Sequence, residues 1–359
     1  MSFKLTFEPM QEVIDCSPSE TILEAARRNR IRISSSCGGH GTCMSCAVQI
    51  TGGAMAAANQ ADIDVFSDRR LGEGWRRACI TRPEGDCIIS VPARSTAAPV
   101  RTQVEGNMGK SAELVGFKPD VQIIHFELEE PSIEDGRSDE TRLRDALEKD
   151  HPEACETFDA ALLKSFAVDL RKWKWAGWIA SKDGEVIAAG SKECRVFGMA
   201  VDLGTTNMSG FLVDMMTGET LAAEGMENPQ TAYGADLITY ASHIRRNPET
   251  AEILQELAVE ALNQLADDLC EAVGATAKDI VEITIAGNTM MHHLLLGLPV
   301  TQLAMSPFIS AYSDSLDLKA RDLNINVAEG GHVHLLPNIA GFVGGDHVAS
   351  LLASEFHET

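Results

Sequence analysis

Apolar and polar residues alternate at Phe3, Leu5 and Phe7 and resume at Val13, which predicts strands over 3–7 and 11–15 joined as a hairpin. Ser17-Pro18-Ser19-Glu20 then carries three helix-start signals. Ser17 can cap, Pro18 suits the first helical position, and Glu20 completes a capping box. The helix is expected to run to about Asn29 and to bury Ile22, Leu23 and Ala26. Apolar runs at 46–51 and 86–92 read as two more strands, and this first group of elements closes by residue 94. Residues 95–110, rich in Ala, Thr, Gly and Pro with little periodicity, read as a linker.

Residues 111–195 read as a small α+β module. A strand is expected over 121–128, a polar helix over 139–149, and a hairpin over 178–188 turning on Asp183-Gly184. Trp173, Trp175 and Trp178 are assigned to core packing. From residue 196 a buried strand runs from Phe197 to Asp202, a tight turn follows, and a second strand leaves it toward Asp214. A third strand is expected at 220–224, then helices at 235–244 and 248–273, the latter ended by Gly274. Strands at 281–286 and 332–336 and a helix at 348–355 complete the series. At 359 residues the chain exceeds one core, and the reading is a multidomain protein of α+β and α/β parts: 1–94, linker 95–110, 111–195 and 196–359.

Composition narrows the function classes. No run approaches the 18 to 20 apolar residues of a membrane span, and the start alternates like a strand, so the expectation is a cytoplasmic protein without a membrane partner. The net charge of −23 is uneven: 11 basic and 11 acidic residues in 1–94, but 5 against 22 in 196–359. Nucleic acid is excluded as a partner, because phosphate neutralisation needs clustered Lys and Arg.

Chemistry is carried by two constellations. Cys37, Cys43 and Cys46 are spaced C-x5-C-x2-C, and Cys79 follows 33 positions later. Three clustered thiols can wrap one side of an inorganic cluster and the fourth can close it. Glycines at 38, 39 and 41 permit tight backbone turns around it. A zinc site favours C-x2-4-C pairs, which a first gap of five does not match. The spacing resembles the adrenodoxin-like [2Fe–2S] ferredoxins, and the element order resembles a β-grasp ferredoxin. The other five cysteines (16, 87, 155, 194 and 270) are scattered and read as reduced thiols.

The second constellation is Asp202-Leu-Gly204-Thr205-Thr206-Asn207 at the strand–turn–strand junction. Gly204 lets amides approach an anion, the threonines add hydroxyl donors, and Asp202 can hold the water shell of Mg²⁺. Gly287-Asn288 and Gly344-Gly345-Asp346 recur at the ends of later elements. An ordinary turn with a capping aspartate is the plainer alternative. Neither His292-His293 nor His332 with His334 has the neighbours expected of a metal site, and there is no Walker A loop, G-x-S-x-G elbow or post-strand G-x-G-x-x-G. The β-β-β-α-β order around Asp202 resembles the acetate-kinase, sugar-kinase, heat-shock-chaperone and actin (ASKHA) ATPase superfamily, with its ribonuclease-H-like lobes.

Together these motifs, with 285–290 and 338–346, resemble one family, the reductive activators of corrinoid proteins. The resemblance implies a β-grasp ferredoxin fused to the first lobe of an actin-like ATPase. It also implies ATP/Mg²⁺ at Asp202, Gly204, Thr205, Thr206, Asn207, Gly287, Asn288, Gly344, Gly345 and Asp346, with Asp202 catalytic. The implied reaction is ATP-dependent delivery of an electron to a corrinoid methyltransferase protein, taking Co(II) to Co(I). A ferredoxin-type cluster sits near −0.4 V, and each further 100 mV costs about 2.3 kcal/mol per electron. Expected partners are a corrinoid protein, an upstream electron donor and, as a homodimer, a second copy of the chain. No second Asp-x-Gly-Thr hairpin follows residue 214, so the chain is expected to be a fragment or to need a partner, and not to hydrolyse ATP alone. A plain electron-transfer ferredoxin whose appended domains only bind a partner, and a small-molecule kinase with a regulatory cluster, are the alternatives.

Overall fold

The structure, a computed structural model, describes residues 2–29, 31, 33–35, 39, 41, 44–54, 56–92, 95, 120–193, 195–234 and 236–354. The strands of the first region are β1 (Phe3–Glu8), β2 (Glu12–Cys16), β3 (Ala47–Gly53), β4 (Trp75–Arg77) and β5 (Cys87–Ser90), ordered β2-β1-β5-β3-β4. β1 pairs antiparallel with β2 and parallel with β5, the mixed pairing of a β-grasp sheet. Helix α1 (Ile22–Arg28) shares one core with Leu5, Phe7, Ile50 and Ile89.

Two details differ from expectation. Val13 is 57% exposed, and Ile14 is buried in its place. Leu5 pairs with Ile14, and directly opposed residues share a face, so the buried face of β1 draws in the even positions of β2. The helix cap lies four residues later than Ser17. Thr21 Oγ1 accepts from the Glu24 amide at 3.2 Å, and Glu24 Oε2 accepts from the Thr21 amide at 2.7 Å. Ser17 and Glu20 form a separate turn closed by Glu20 N–H to Ser17 O at 3.0 Å. Both quartets have capping-box spacing, but the second directly precedes the buried run from Ile22. Short helices α2 (Gln60–Ile63) and α3 (Asp68–Gly72), capped by Asn59 and Ser67, fill the β3–β4 connection; neither is long enough to show a period in sequence.

The middle sheet is β6 (Gln122–Glu127), β7 (Thr157–Phe158), β8 (Ala176–Lys182) and β9 (Glu185–Gly190), in the order β6-β8-β9-β7. Asp183 and Gly184 both have positive φ, 50° and 79°, as a tight two-residue turn requires. Trp175 and Trp178 are buried. Helix α4 (Asp139–Leu147) matches the polar helix, whereas α5 (Ala160–Lys172) was not anticipated. Its buried residues Leu162, Phe166 and Leu170 recur every four positions behind the Asp159 cap.

The third sheet contains β10 (Phe197–Leu203), β11 (Asn207–Asp214), β12 (Thr220–Glu227), β13 (Ile280–Gly287), β14 (Leu316–Lys319) and β15 (His332–Leu335), ordered β12-β11-β10-β13-β15-β14. β10 runs antiparallel to β11 and parallel to β13, which is parallel to β15. This is the ribonuclease-H-like arrangement, extended by β14 at one edge. The helices that follow β12 along the chain are α6 (Leu237–Arg246), α7 (Thr250–Ala272), α8 (Thr289–Leu295) and α9 (Gly345–Ala353). Gly274 follows α7 at φ +66°. The helix expected from Ala235 begins at Leu237, and Ala235 lies outside the described residues. The helix expected from Val348 starts at Gly345, placing Asp346 in its first turn.

The chain divides into two compact units, 1–101 with 227–254 and 300–307, and 102–226 with 255–299 and 308–359. Within the second, the middle sheet and the third share a core of Val121, Trp178, Ala180 and Ile187 with Val196, Met215 and Val281. Among the described residues no helix is long and apolar enough to cross a membrane.

Candidate functional site

Cys46 ends the glycine-rich loop one residue before β3, and Cys79 lies two residues after β4. Antiparallel pairing of Ala47 with Arg77, and the Ala78 amide bonded to Cys46 O at 3.0 Å, draw the two cysteines together. Their Sγ atoms are 3.4 Å apart, and the residues are 0% and 8% exposed. Two thiolates on one tetrahedral ion, with bonds of about 2.3 Å, sit about 3.8 Å apart, so the pair fits adjacent ligands of one iron. Gly39 and Gly41 adopt φ of +96° and +69°, a left-handed backbone that side chains rarely enter. Cys37 and Cys43 lie outside the described residues.

The loop is anchored by groups that the sequence pattern did not single out. Arg77 and Asp62 form a buried ion pair, Nε to Oδ1 at 3.0 Å, with side chains 3% and 0% exposed. A terminal nitrogen of Arg77 also donates to the Gly41 carbonyl. Arg27 of α1 reaches the same region. A Cβ on Gly39 would stand 3.9 Å from both Arg27 Nη1 and Cys79 Cβ. Burial draws the Arg27 guanidinium below the usual arginine range. Cys16, Cys87 and Cys155 are buried thiols raised to about 11, and Cys270 to about 12, each mainly by desolvation. Such thiols are inert toward metals and oxidants at neutral pH. Cys194 lies outside the described residues.

The third sheet brings the second constellation together. Leu203 is in register with Gly287, so the turn after β10 and the end of β13 lie side by side. Asn288 Nδ2 donates to Thr205 Oγ1 at 3.0 Å, bridging the two loops, while Asn288 Oδ1 caps α8 through the amides of Met290 and Met291. A Cβ on Gly344 would meet Thr289 N at 2.5 Å, and a Cβ on Gly204 would meet Asn207 O at 2.5 Å. These two glycines are required by close backbone approach. Gly345, whose Cβ would lie 2.9 Å from Leu336 Cβ, seats the start of α9 against the end of β15.

Asp202 sits at the exposed end of β10, with Thr206 and Asn207 also exposed. Protein surrounding its carboxyl desolvates it and raises its pKa, with the Asp346 charge adding a smaller push in the same direction. The histidine pairs do other work. His293 Nδ1 lies 2.8 Å from Thr289 O and its Nε2 accepts from the Ala311 amide at 2.9 Å, whereas His334 Nδ1 faces both Asp317 oxygens at 3.1 Å.

Residues 5–84 match the profile of the 2Fe-2S iron-sulfur cluster binding domain, 110–193 that of the RACo linker region, and 197–359 that of the RACo middle region. Corrinoid activation enzyme RamQ of Eubacterium limosum is 32% identical over 212 residues, 58% of this chain and 36% of RamQ. Phenol 2-monooxygenase reductase component DmpP of Pseudomonas sp. (strain CF600) is 32% identical over 134 residues, 36% of each chain. A solved structure titled reductive activator for corrinoid, iron-sulfur protein superposes with a TM-score of 0.60 at 28% identity, covering 99% of this chain and 58% of its own. This chain therefore spans only about a third to three-fifths of the relatives it matches. With a 2Fe-2S domain followed in order by RACo linker and middle regions, it belongs to the RACo family.

Proposed function

We propose that this chain is the cluster-bearing part of a reductive activator of a corrinoid protein, passing an electron from a [2Fe–2S] centre to Co(II) to give Co(I) at the expense of ATP. The observation that carries the reading is the buried Cys46–Cys79 pair, Sγ to Sγ 3.4 Å, in a chain that also carries both RACo regions. Cys37, Cys43, Cys46 and Cys79 are the proposed ligands, and when bound the cluster supplies one-electron chemistry at low potential. Asp202 is the proposed catalytic residue, holding the water shell of Mg²⁺ opposite Asp346. Gly204, Thr205, Thr206, Asn207, Gly287, Asn288, Gly344 and Gly345 line the phosphates. What supports this second site is the three-way approach of the loops through Asn288–Thr205 and Gly344–Thr289. The proposed boundaries are 1–94, 95–110, 111–195 and 196–359. A corrinoid protein, an upstream electron donor and a second copy of the chain are the proposed partners, in the cytoplasm.

The direct assay mixes the full-length gene product anaerobically with a Co(II) corrinoid protein, reductant and ATP. ATP-dependent growth of Co(I) absorbance is expected, and Asp202→Ala should abolish the ATP dependence while leaving the cluster spectrum intact. An acceptor reduced equally well by the Asp202→Ala protein would instead identify a plain electron-transfer ferredoxin.

A further inference from the structure

Arg27 faces the cluster loop on one side and a segment outside the ferredoxin region on the other, within one compact unit. Its Nη1 and Cys79 Cβ each lie 3.9 Å from where a Cβ on Gly39 would stand. Its Nη2 donates to the Ala232 carbonyl, and its guanidinium carbon stands 4.4 Å from the centroid of the Tyr233 ring. Tyr233 closes the 3-10 turn Pro229–Tyr233 and meets the His243 ring of α6 edge-on, centroids 6.4 Å apart at 85°. That turn is itself fixed: Asn228 Oδ1 caps the Gln230 amide at 2.9 Å, and Gln230 Nε2 donates to Leu254 O at 2.8 Å. Arg28, the next residue, turns the other way and pairs with Glu20 at 2.9 Å on the surface.

We infer that Arg27 is a positioning residue that raises the reduction potential of the cluster, and that Tyr233 and Ala232 hold its charge in place. The inference rests on the cluster assignment above. Reduction of the centre adds one negative charge, and a fixed cation beside Gly39, weakly screened where Cys46 and Cys79 are buried, stabilises the reduced state. A cation–π contact to Tyr233 and a carbonyl acceptor restrict an otherwise flexible side chain to that position. The potential of the cluster is thereby set partly by residues 229–233, which lie outside the 2Fe-2S domain.

The test is an anaerobic redox titration of the cluster-loaded chain, followed by electron paramagnetic resonance, with no acceptor or nucleotide present. Arg27→Gln is expected to shift the reduction equilibrium about tenfold toward the oxidised cluster, which is about 59 mV more negative for one electron. Tyr233→Ala should shift it in the same direction by less, Arg27→Lys should recover most of the change, and Arg28→Gln should leave it unmoved. Wild-type potentials in both Arg27→Gln and Tyr233→Ala, or an equal shift in Arg28→Gln, would overturn the inference. If Arg27→Gln fails to retain iron, Tyr233→Ala carries the test, and a wild-type potential in that variant would overturn the inference. Absence of any [2Fe–2S] signal in the wild-type protein would refute the cluster assignment instead.

Discussion

Asp62 and Arg77 are both buried and pair with each other. Removing one member of such a pair leaves an unpaired ion in low dielectric, a loss of about 3–5 kcal/mol. Asp62→Ala is therefore expected to lower the unfolding midpoint of the ferredoxin region in urea and to speed iron loss, since Arg77 also holds Gly41. Cys79→Ser should abolish the visible cluster absorbance while leaving the far-ultraviolet dichroism near that of the wild type. The cysteine spacing was readable without coordinates. The Asp62–Arg77 pair was not, because its members are 15 positions apart in stretches where charge ordinarily means surface.

Helix α8 shows what one element contributes. All seven of its residues are buried, including two adjacent histidines. Desolvation, assisted by His293, pushes His292 down to about 4 from its ordinary 6.5, and burial lowers His293 as well. The unfolded chain takes up protons below about 6.5 while the folded chain keeps these rings neutral. Their contribution is thus complete above that pH and is lost as pH falls toward 4. For His292 this amounts to about 3 kcal/mol, and urea midpoints measured between pH 7 and pH 4 should fall accordingly, less steeply in His292→Gln. The turn after β10 makes a second element-scale prediction. Gly204→Ala would force a Cβ against Asn207 O, opening the turn at a cost of about 1–3 kcal/mol. Titration with ATP·Mg²⁺ on the full-length gene product should show weakened binding, and Gly344→Ala should do the same by pushing on α8. Helices α2, α3 and α8 were missed because they are only four to seven residues long and two of them are mainly polar. In α5, the period of four at Leu162, Phe166 and Leu170 is present in the sequence itself.

For the molecule as a whole, the second unit joins two sheets that the sequence reading kept as separate modules. Apolar contacts are reinforced by Lys182, 4% exposed, which meets Glu282 at 2.7 Å and also Asp120, and by Arg321 and Lys319, which both reach Asp159. Gly330 packs so closely that a Cβ would lie 2.2 Å from Ile187 O. The middle sheet and the third sheet should accordingly unfold in one cooperative transition, and Val281→Asp should destabilise both together in proteolysis-resistance mapping. Local pattern and motif spacing by themselves marked the longer strands and helices, the spacing of the four cysteines and the turn after Asp202, because periodicity, caps and ligand spacing are short-range properties of the chain. Only the tertiary structure decided that Ile14 faces the core instead of Val13 and that Asn288 bridges to Thr205. It alone brought Arg27 onto the ring of Tyr233, 206 positions further along. Those outcomes depend on strand register and on long-range packing, in which the partner of a residue is chosen by the fold and not by its neighbours in sequence.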